Sequence, residues 1–485
     1  MVVEFQYDPK RKEVRIVSDF LPSIKEHFSV KSPAARFNRF QRFMPQRIYA
    51  ITPAGYCGVG LVPGIIEFLN NQNIPFEIKV NQEYNDIIQK THILEPDRFK
   101  TLSSEFKLRD YQETAVSKAL DNGYGVVELA TGGGKTLIIA NLVYATLHQV
   151  EPTEKILIVV PDLGLVSQTF KDFTSYNFPM EIVSRWTGNT ELDPNARVII
   201  ANMGILQSKN SDITWFNKVG LLVVDECHKL RRGNKVCKLI DKIPTLRRIG
   251  FTGTLPENNI DTWNINNFIG PVIFKKTTTE LREAAGGEYI ANAQCLAIKL
   301  NYDFKPDYTA VSSAQRYLLE LDYIHNSKFR NKVIRQLAYN FKNNCLILID
   351  HIAHGDNLYN ELSTLTDKQV YFIQGSVEVE ERRRVQEIME QHNNVVCIAI
   401  SKIFSTGISI KNIHYIVFAA GGKSKIKTLQ SIGRGLRVHE NKDILTLVDI
   451  VDDLIYGIKH YDKRKEFYDL EKIKITEKTI TESAS

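Results

Sequence analysis

Eight consecutive residues, Leu129-Ala130-Thr131-Gly132-Gly133-Gly134-Lys135-Thr136, place three glycines, a lysine and a hydroxyl between a short apolar run (Val126-Val127) and a helix-like stretch over 137–147. Where a strand passes through such a turn into a helix, backbone N–H groups and the positive helix end face the same point, which suits phosphate oxygens. Lys135 is spaced to reach β- and γ-phosphates, and Thr136 to ligate Mg²⁺. The full phosphate-loop pattern asks for glycine six residues before the lysine, where this chain has Leu129. Downstream, Val223-Val224 runs into Asp225-Glu226-Cys227-His228. An acidic pair closing a buried strand supplies one carboxylate to hold Mg²⁺ and a second to orient or deprotonate water. We expect that strand one sheet position from the loop's own, with His228 completing the catalytic group.

Two further groups extend the pattern. Thr252-Gly253-Thr254 follows Phe251, and hydroxyls there are placed to sense a Mg²⁺–phosphate cluster and couple it to domain movement. In the C-terminal half, Gln430-Ser-Ile-Gly433-Arg434-Gly435-Leu436-Arg437 sets two arginines three apart, on one helical face. Guanidinium groups so placed reach a γ-phosphate and stabilise charge that builds up during transfer. Ser405-Thr406-Gly407-Ile408-Ser409 would offer N–H groups and hydroxyls to the same cleft.

The elements that must position these residues are legible as alternating patterns. Aliphatic runs at 156–160, 197–200, 221–224 and 248–251, separated by helical stretches, read as a parallel sheet covered on both faces. A second series begins near 345, with runs at 370–373, 395–400, 415–419 and 444–448. Short β-rich runs and a helix at 63–72 suggest a small α+β domain over 1–100. The first lobe is assigned to 106–285 and the second to 300–455, with a less regular connection around Gly286-Gly287. Residues 456–485 read as a charged helical tail that frays at its end.

These motifs, with Leu108-Arg109-Asp110-Tyr111-Gln112 ahead of them, resemble those of the superfamily 2 helicases in order and rough spacing, over about 106–450. That superfamily's loop does not need the first glycine. The resemblance implies two RecA-like lobes in tandem, with ATP and Mg²⁺ as cofactors. It also implies that Arg109 and Gln112 read adenine, that Arg434 and Arg437 are arginine fingers, and that Pro161 and Gln168 lie where the family touches the nucleic-acid backbone. The run Phe404-Ser-Thr-Gly-Ile-Ser-Ile-Lys-Asn412, the segment Gly421-Gly-Lys-Ser-Lys-Ile426 and the compact second lobe are similar to phage UvsW-type helicases, which remodel branched DNA. The expected partner is forked or branched DNA. DECH resembles both DNA and RNA members, so an RNA substrate stays open, as does a nucleotide-gated binding protein that hydrolyses little.

Residues 29–49 hold Lys31, Arg36, Arg39, Arg42 and Arg47 without an acidic residue, interleaved with Phe37, Phe40, Phe43 and Tyr49. Cations neutralise phosphates and rings stack on unpaired bases, so this is one candidate DNA surface. The same spacing also suits core phenylalanines with arginines outside. Lys423 and Lys425 form a second candidate. The net charge of +6 over 485 residues permits a polyanionic partner without requiring one. Six scattered cysteines without a C-x-x-C pair read as reduced thiols, and no apolar stretch approaches the roughly 20 residues that span a bilayer. The start MVVEFQYD lacks a signal-peptide pattern, so a monomeric cytoplasmic protein is expected, in the host cytoplasm if phage-encoded.

Overall fold

The computed structural model describes residues 1–32, 46–92, 101–102, 105–188, 190–208, 212–231, 233–284, 291–309, 311–375, 377, 379–401, 410–420, 442 and 444–482. Two compact units emerge. One comprises 1–129 and 134–275, the other 130–133 and 276–485.

In the first unit, strands β1 (Val2–Asp8), β2 (Glu13–Val17), β5 (Tyr56–Cys57) and β6 (Glu77–Val80) form a four-stranded sheet in the order β5-β2-β1-β6. A separate hairpin pairs β3 (Ser29–Lys31) antiparallel with β4 (Arg47–Tyr49). Along β1, Val3, Phe5 and Tyr7 are buried and alternate with partly exposed residues. That period of two is what a sheet with one covered face requires. This N-terminal core is also packed by Leu246 and Trp263, from beyond the α+β segment.

The larger sheet of this unit contains β7 (Tyr124–Leu129), β8 (Lys155–Val160), β9 (Val183–Trp186), β10 (Val198–Asn202), β11 (Val219–Asp225), β12 (Arg248–Thr252) and β13 (Val272–Lys276). Their order is β13-β7-β12-β11-β8-β10-β9. From β7 to β9 the neighbours pair in parallel. The motif spacing predicts the DECH strand next to the loop strand. Instead β12 lies between β7 and β11, so Thr252-Gly253-Thr254 ends the strand separating the loop from the acidic pair. The helix Lys135–Leu147 is apolar nearly all round, with ten of its residues buried. It is an interior helix, not an amphipathic surface one.

The second unit holds β14 (Asn292–Asn301), β15 (Cys345–Ile349), β16 (Gln369–Ile373), β17 (Val395–Ile400), β18 (Tyr415–Phe418), β19 (Ile444–Asp452) and β20 (Lys474–Thr481). The order is β16-β17-β15-β18-β19-β14-β20, with every neighbouring pair parallel. The fold is therefore α/β, with two RecA-like parallel-sheet lobes in tandem after a small α+β region. Gly286-Gly287 of the expected connection lie outside the described residues, and its later part is β14; the helices Ser313–Asn326 and Lys328–Asn340 follow before β15. The charged helix of the expected tail is present as Ile455–Leu470, but Lys474–Thr481, where the expected fraying begins, is a strand, and residues 483–485 lie outside the described residues. That strand, β20, adds to the edge of β14 from Gln294 to Asn301. Ile475 and Ile480, five residues apart, fall on opposite faces of this edge strand and pack on different clusters, while its six polar residues are exposed, which is why composition alone suggests a solvated segment.

Two buried ion pairs fix this unit. Arg464 donates from Nε to Asp449 Oδ2 at 2.8 Å and from Nη2 to Oδ1 at 2.7 Å, and Tyr468 donates to the same carboxylate at 2.8 Å. Arg330 Nε donates to Asp452 Oδ1 at 2.8 Å, and Tyr302 to the same oxygen at 2.6 Å. All six cysteines are free and buried. No helix among the described residues is long and apolar enough to cross a membrane.

Candidate nucleotide site

β7 ends at Leu129, and the next helix begins at Lys135 with Gly134 as its N-cap. A glycine cap offers no side chain to the Lys135 and Thr136 N–H groups at the helix start, while the Leu137 N–H turns back to the Gly134 carbonyl at 3.1 Å. Gly134 has φ +80°, and a Cβ there would lie 2.3 Å from Gln112 Nε2. Only glycine allows that amide to approach the loop so closely. Gln112 is buried, and its Oε1 accepts the Arg109 N–H at 2.9 Å, starting the helix Asp110–Asn122. Both adenine-reading candidates thus share one helix start beside the loop's last glycine. The Gly133 N–H donates to the Ala130 carbonyl at 3.0 Å, closing a tight turn, and Lys135 Nζ donates to the Leu129 carbonyl at 3.4 Å.

Asp225 is the last residue of β11, and its Oδ1 accepts the Glu226 N–H at 2.9 Å. Burial and the neighbouring Glu226 charge push its carboxyl up to about 6, while the Lys135 ammonium pulls it down. A carboxylate in that position gains from any further cation. With the Thr136 hydroxyl it offers hard oxygen donors of the kind Mg²⁺ takes alongside phosphate oxygens. Among the described residues no cluster of three or more His, Cys, Asp or Glu could hold a metal by itself. The donor set therefore fits a Mg²⁺ that arrives with a nucleotide.

Glu226 has φ +51°, a left-handed conformation uncommon for a side chain of this size. The strain turns the chain into the one-turn 3₁₀ helix Cys227–Lys229. His228, buried in that turn, places Nδ1 2.9 Å from Thr252 Oγ1 and 3.1 Å from Glu226 Oε2. Thr252 Oγ1 in turn donates to the Thr254 carbonyl at 3.0 Å. The arrangement is self-consistent with the proton on His228 Nδ1, because the Thr252 hydroxyl then accepts from the ring and spends its own proton on Thr254. The sequence named these residues separately. The contact joining DECH to TGT has no signature in the spacing, because it arises from β12 lying beside β11. Gly250 is part of it, since a Cβ there would meet Cys227 Sγ at 2.9 Å.

Pro161 follows β8, and Gln168 lies on the helix Leu163–Ser175, where its Nε2 donates to Asp172 Oδ1 at 2.7 Å. Thr131, Gly132, Gly133, Gly134, Lys135 and Thr136 are all described. Gly253 and Thr254 follow β12. Other candidates lie outside the described residues: Arg36, Arg39, Arg42 and Phe40, Thr406 and Gly407, Lys423 and Lys425, and Gln430, Arg434 and Arg437.

Known proteins resemble this arrangement. Residues 105–257 match the family model of the type III restriction enzyme res subunit, and 284–470 that of the ERCC3/RAD25/XPB C-terminal helicase. The ATP-dependent DNA helicase uvsW of Enterobacteria phage T4 is 30% identical over 372 residues, covering 74% of this chain and 71% of that protein. The chain belongs to the UvsW family of superfamily 2 helicases. More distant to this UvsW-family chain is the XPB helicase/translocase subunit of general transcription and DNA repair factor IIH from Schizosaccharomyces pombe. It is 23% identical over 368 residues, covering 72% of this chain and 44% of that protein. A fragment structure of a putative HsdR subunit of a type I restriction enzyme from Vibrio vulnificus YJ016 shares the fold, with a TM-score of 0.57, 17% identity and coverage of 80% and 72%. Membership in the UvsW family makes the chain an ATP-dependent DNA helicase.

Proposed function

We propose that this helicase unwinds or branch-migrates forked and branched DNA in phage replication, recombination or repair, acting as a monomer in the host cytoplasm. The observation that carries the reading is the connection from Glu226 through His228 to Thr252, which ties the hydrolytic carboxylate to a second strand of the lobe. A protein that only bound nucleotide would have no use for it.

In this reading Lys135 and the first-turn N–H groups hold the phosphates, and Arg109 and Gln112 hold adenine. Thr136 and Asp225 hold Mg²⁺, which neutralises phosphate charge when bound. Glu226 orients the attacking water and takes its proton, while His228 fixes the Glu226 side chain. Arg434 and Arg437, with Gln430 and Gly407, would complete the site from the second lobe. Pro161, Gln168 and Thr406 would lie along one strand of DNA. Arg36, Arg39, Arg42 and Phe40 would grip the branch, together with Lys423 and Lys425. The domains are read as 1–100, 106–285, 300–455 and 456–485.

The test is Lys135→Ala, which should abolish DNA-stimulated ATP hydrolysis and leave DNA binding largely intact. Unchanged hydrolysis in a clean preparation would refute the loop assignment. Unwinding of a fork, a Holliday junction, a linear duplex and a structured RNA decides the substrate, and a preference for RNA would overturn the choice of DNA.

A further inference from the structure

The helix Asn259–Phe268 starts five residues after Thr254, the last residue of the TGT group, and one stretch of it faces two ways. Toward the acidic pair, Asn264 Nδ2 donates to the Leu230 carbonyl at 2.8 Å. Leu230 closes the one-turn helix that carries His228. Toward the N-terminal region, Asn267 Oδ1 accepts the Gly58 N–H at 2.7 Å, and its Nδ2 donates to the Ala50 carbonyl at 3.1 Å. Ala50 directly follows β4. Trp263 packs at the same end of that hairpin, its ring centroid 5.2 Å from that of Phe28, which lies just before β3 and whose carbonyl accepts the Ala50 N–H at 2.9 Å. Residues three apart on a helix are neighbours, so Asn264 and Asn267 lie along one face.

These contacts leave little slack. A Cβ at Gly58 would lie 2.0 Å from the Asn267 carbonyl oxygen, and one at Gly60 would lie 2.3 Å from that of Asn266. Backbone rests on backbone there, and backbone cannot yield by changing rotamer. The DECH turn is thus joined to the helix through Asn264, and the helix to the end of the hairpin through Asn267. Coupling of this kind needs one element that both sites bias.

We propose that the Asn259–Phe268 helix carries the nucleotide state of DECH to the β3–β4 hairpin, with Asn264 and Asn267 as its positioning residues. Neither touches nucleotide, so both act through the elements they hold. The role goes beyond hydrolysis: it makes the N-terminal region respond to each ATP bound.

Hydrogen exchange of the full chain, with and without Mg²⁺ and a non-hydrolysable ATP analogue, tests this in the absence of DNA. In the wild type, nucleotide should change exchange at residues 28–31 and 47–58 by about fivefold or more, the low end of ordinary site-to-site coupling. Asn264→Ala and Asn267→Ala should each remove that change, and the double variant should remove no more. Asn267→Asp keeps the acceptor for Gly58 and should restore part of the response. Each variant should keep the wild-type KM for ATP and unstimulated kcat while losing stimulation by DNA. A wild-type hairpin indifferent to nucleotide while residues 223–230 respond would overturn the proposal. So would variants whose hairpin responds like the wild type. Because this readout contains no DNA, its failure is separate from failure of the substrate assignment.

Discussion

Replacing Thr252 with valine keeps the shape of the side chain and removes its hydroxyl, which isolates the link between DECH and TGT. Thr252 is fully buried, so valine fills the same space without leaving a cavity. Three polar contacts disappear: to His228 Nδ1 at 2.9 Å, to the Thr254 carbonyl at 3.0 Å and from the Thr254 N–H at 3.3 Å. Thr254 is partly exposed and recovers its partners from water, so the cost falls on buried His228. A buried group that loses its partner costs about 1–3 kcal/mol. Nδ1 keeps Glu226 Oε2 at 3.1 Å, which should hold the cost toward the lower end. If that energy couples hydrolysis to movement, base pairs unwound per ATP should fall by about fivefold or more. KM for ATP should stay near the wild-type value, since the Thr252 hydroxyl bonds to His228 and Thr254 and not to the loop. The assay pairs steady-state ATPase with fork unwinding on one preparation. Wild-type unwinding per ATP would refute the reasoning, and so would a tenfold rise in KM with coupling intact.

Gly134→Ala should weaken ATP binding, because the residue sits at φ +80° and its new Cβ would meet Gln112 Nε2 at 2.3 Å. The left-handed conformation alone costs an alanine about 1–2 kcal/mol, so affinity measured by titration should drop by roughly tenfold. Arg464→Met strands the Asp449 carboxylate, which is 0% exposed, and should destabilise the chain by about 3–5 kcal/mol in denaturant unfolding. Pairing it with Asp449→Leu should recover much of the loss, whereas no recovery would mean that the pair is not acting as a unit. His354 is fully buried 3.5 Å from Arg330 Nη1 and stacked on His325. Burial, Arg330 and the His325 and His351 rings push it down to about 2. The unfolded chain binds a proton there below about 6.5 and the folded chain does not, so stability should fall as pH drops below that value. The slope is at most about 1.4 kcal/mol per pH unit, and His354→Gln should flatten it in urea midpoints measured from pH 7.5 to 5.

The chemistry of this protein was written locally. A phosphate loop needs glycines, a lysine and a hydroxyl in consecutive positions, because all must face one anion. Lys135, Thr136, Asp225 and Glu226 therefore stand out as candidates without coordinates, and the aliphatic runs are legible as the strands β8, β10, β11 and β12. The helix of the C-terminal tail was legible too, since its charge pattern is local.

What joins those pieces was not legible, because sheet order is decided by packing between segments far apart in the chain. Nothing in the residues around 248–252 says that their strand enters between β7 and β11, and that insertion brings Thr252 onto His228. KITEKTIT looks solvated until β14 offers an edge, and Asn264 and Asn267 look like ordinary polar residues on a short helix. Residue types and their spacing are enough to mark candidates for binding phosphate and metal. Folding is what links Glu226, a second strand and the N-terminal hairpin through one chain of contacts. Hydrogen bonds and backbone contacts between distant segments exist only once the chain has folded around its sheets.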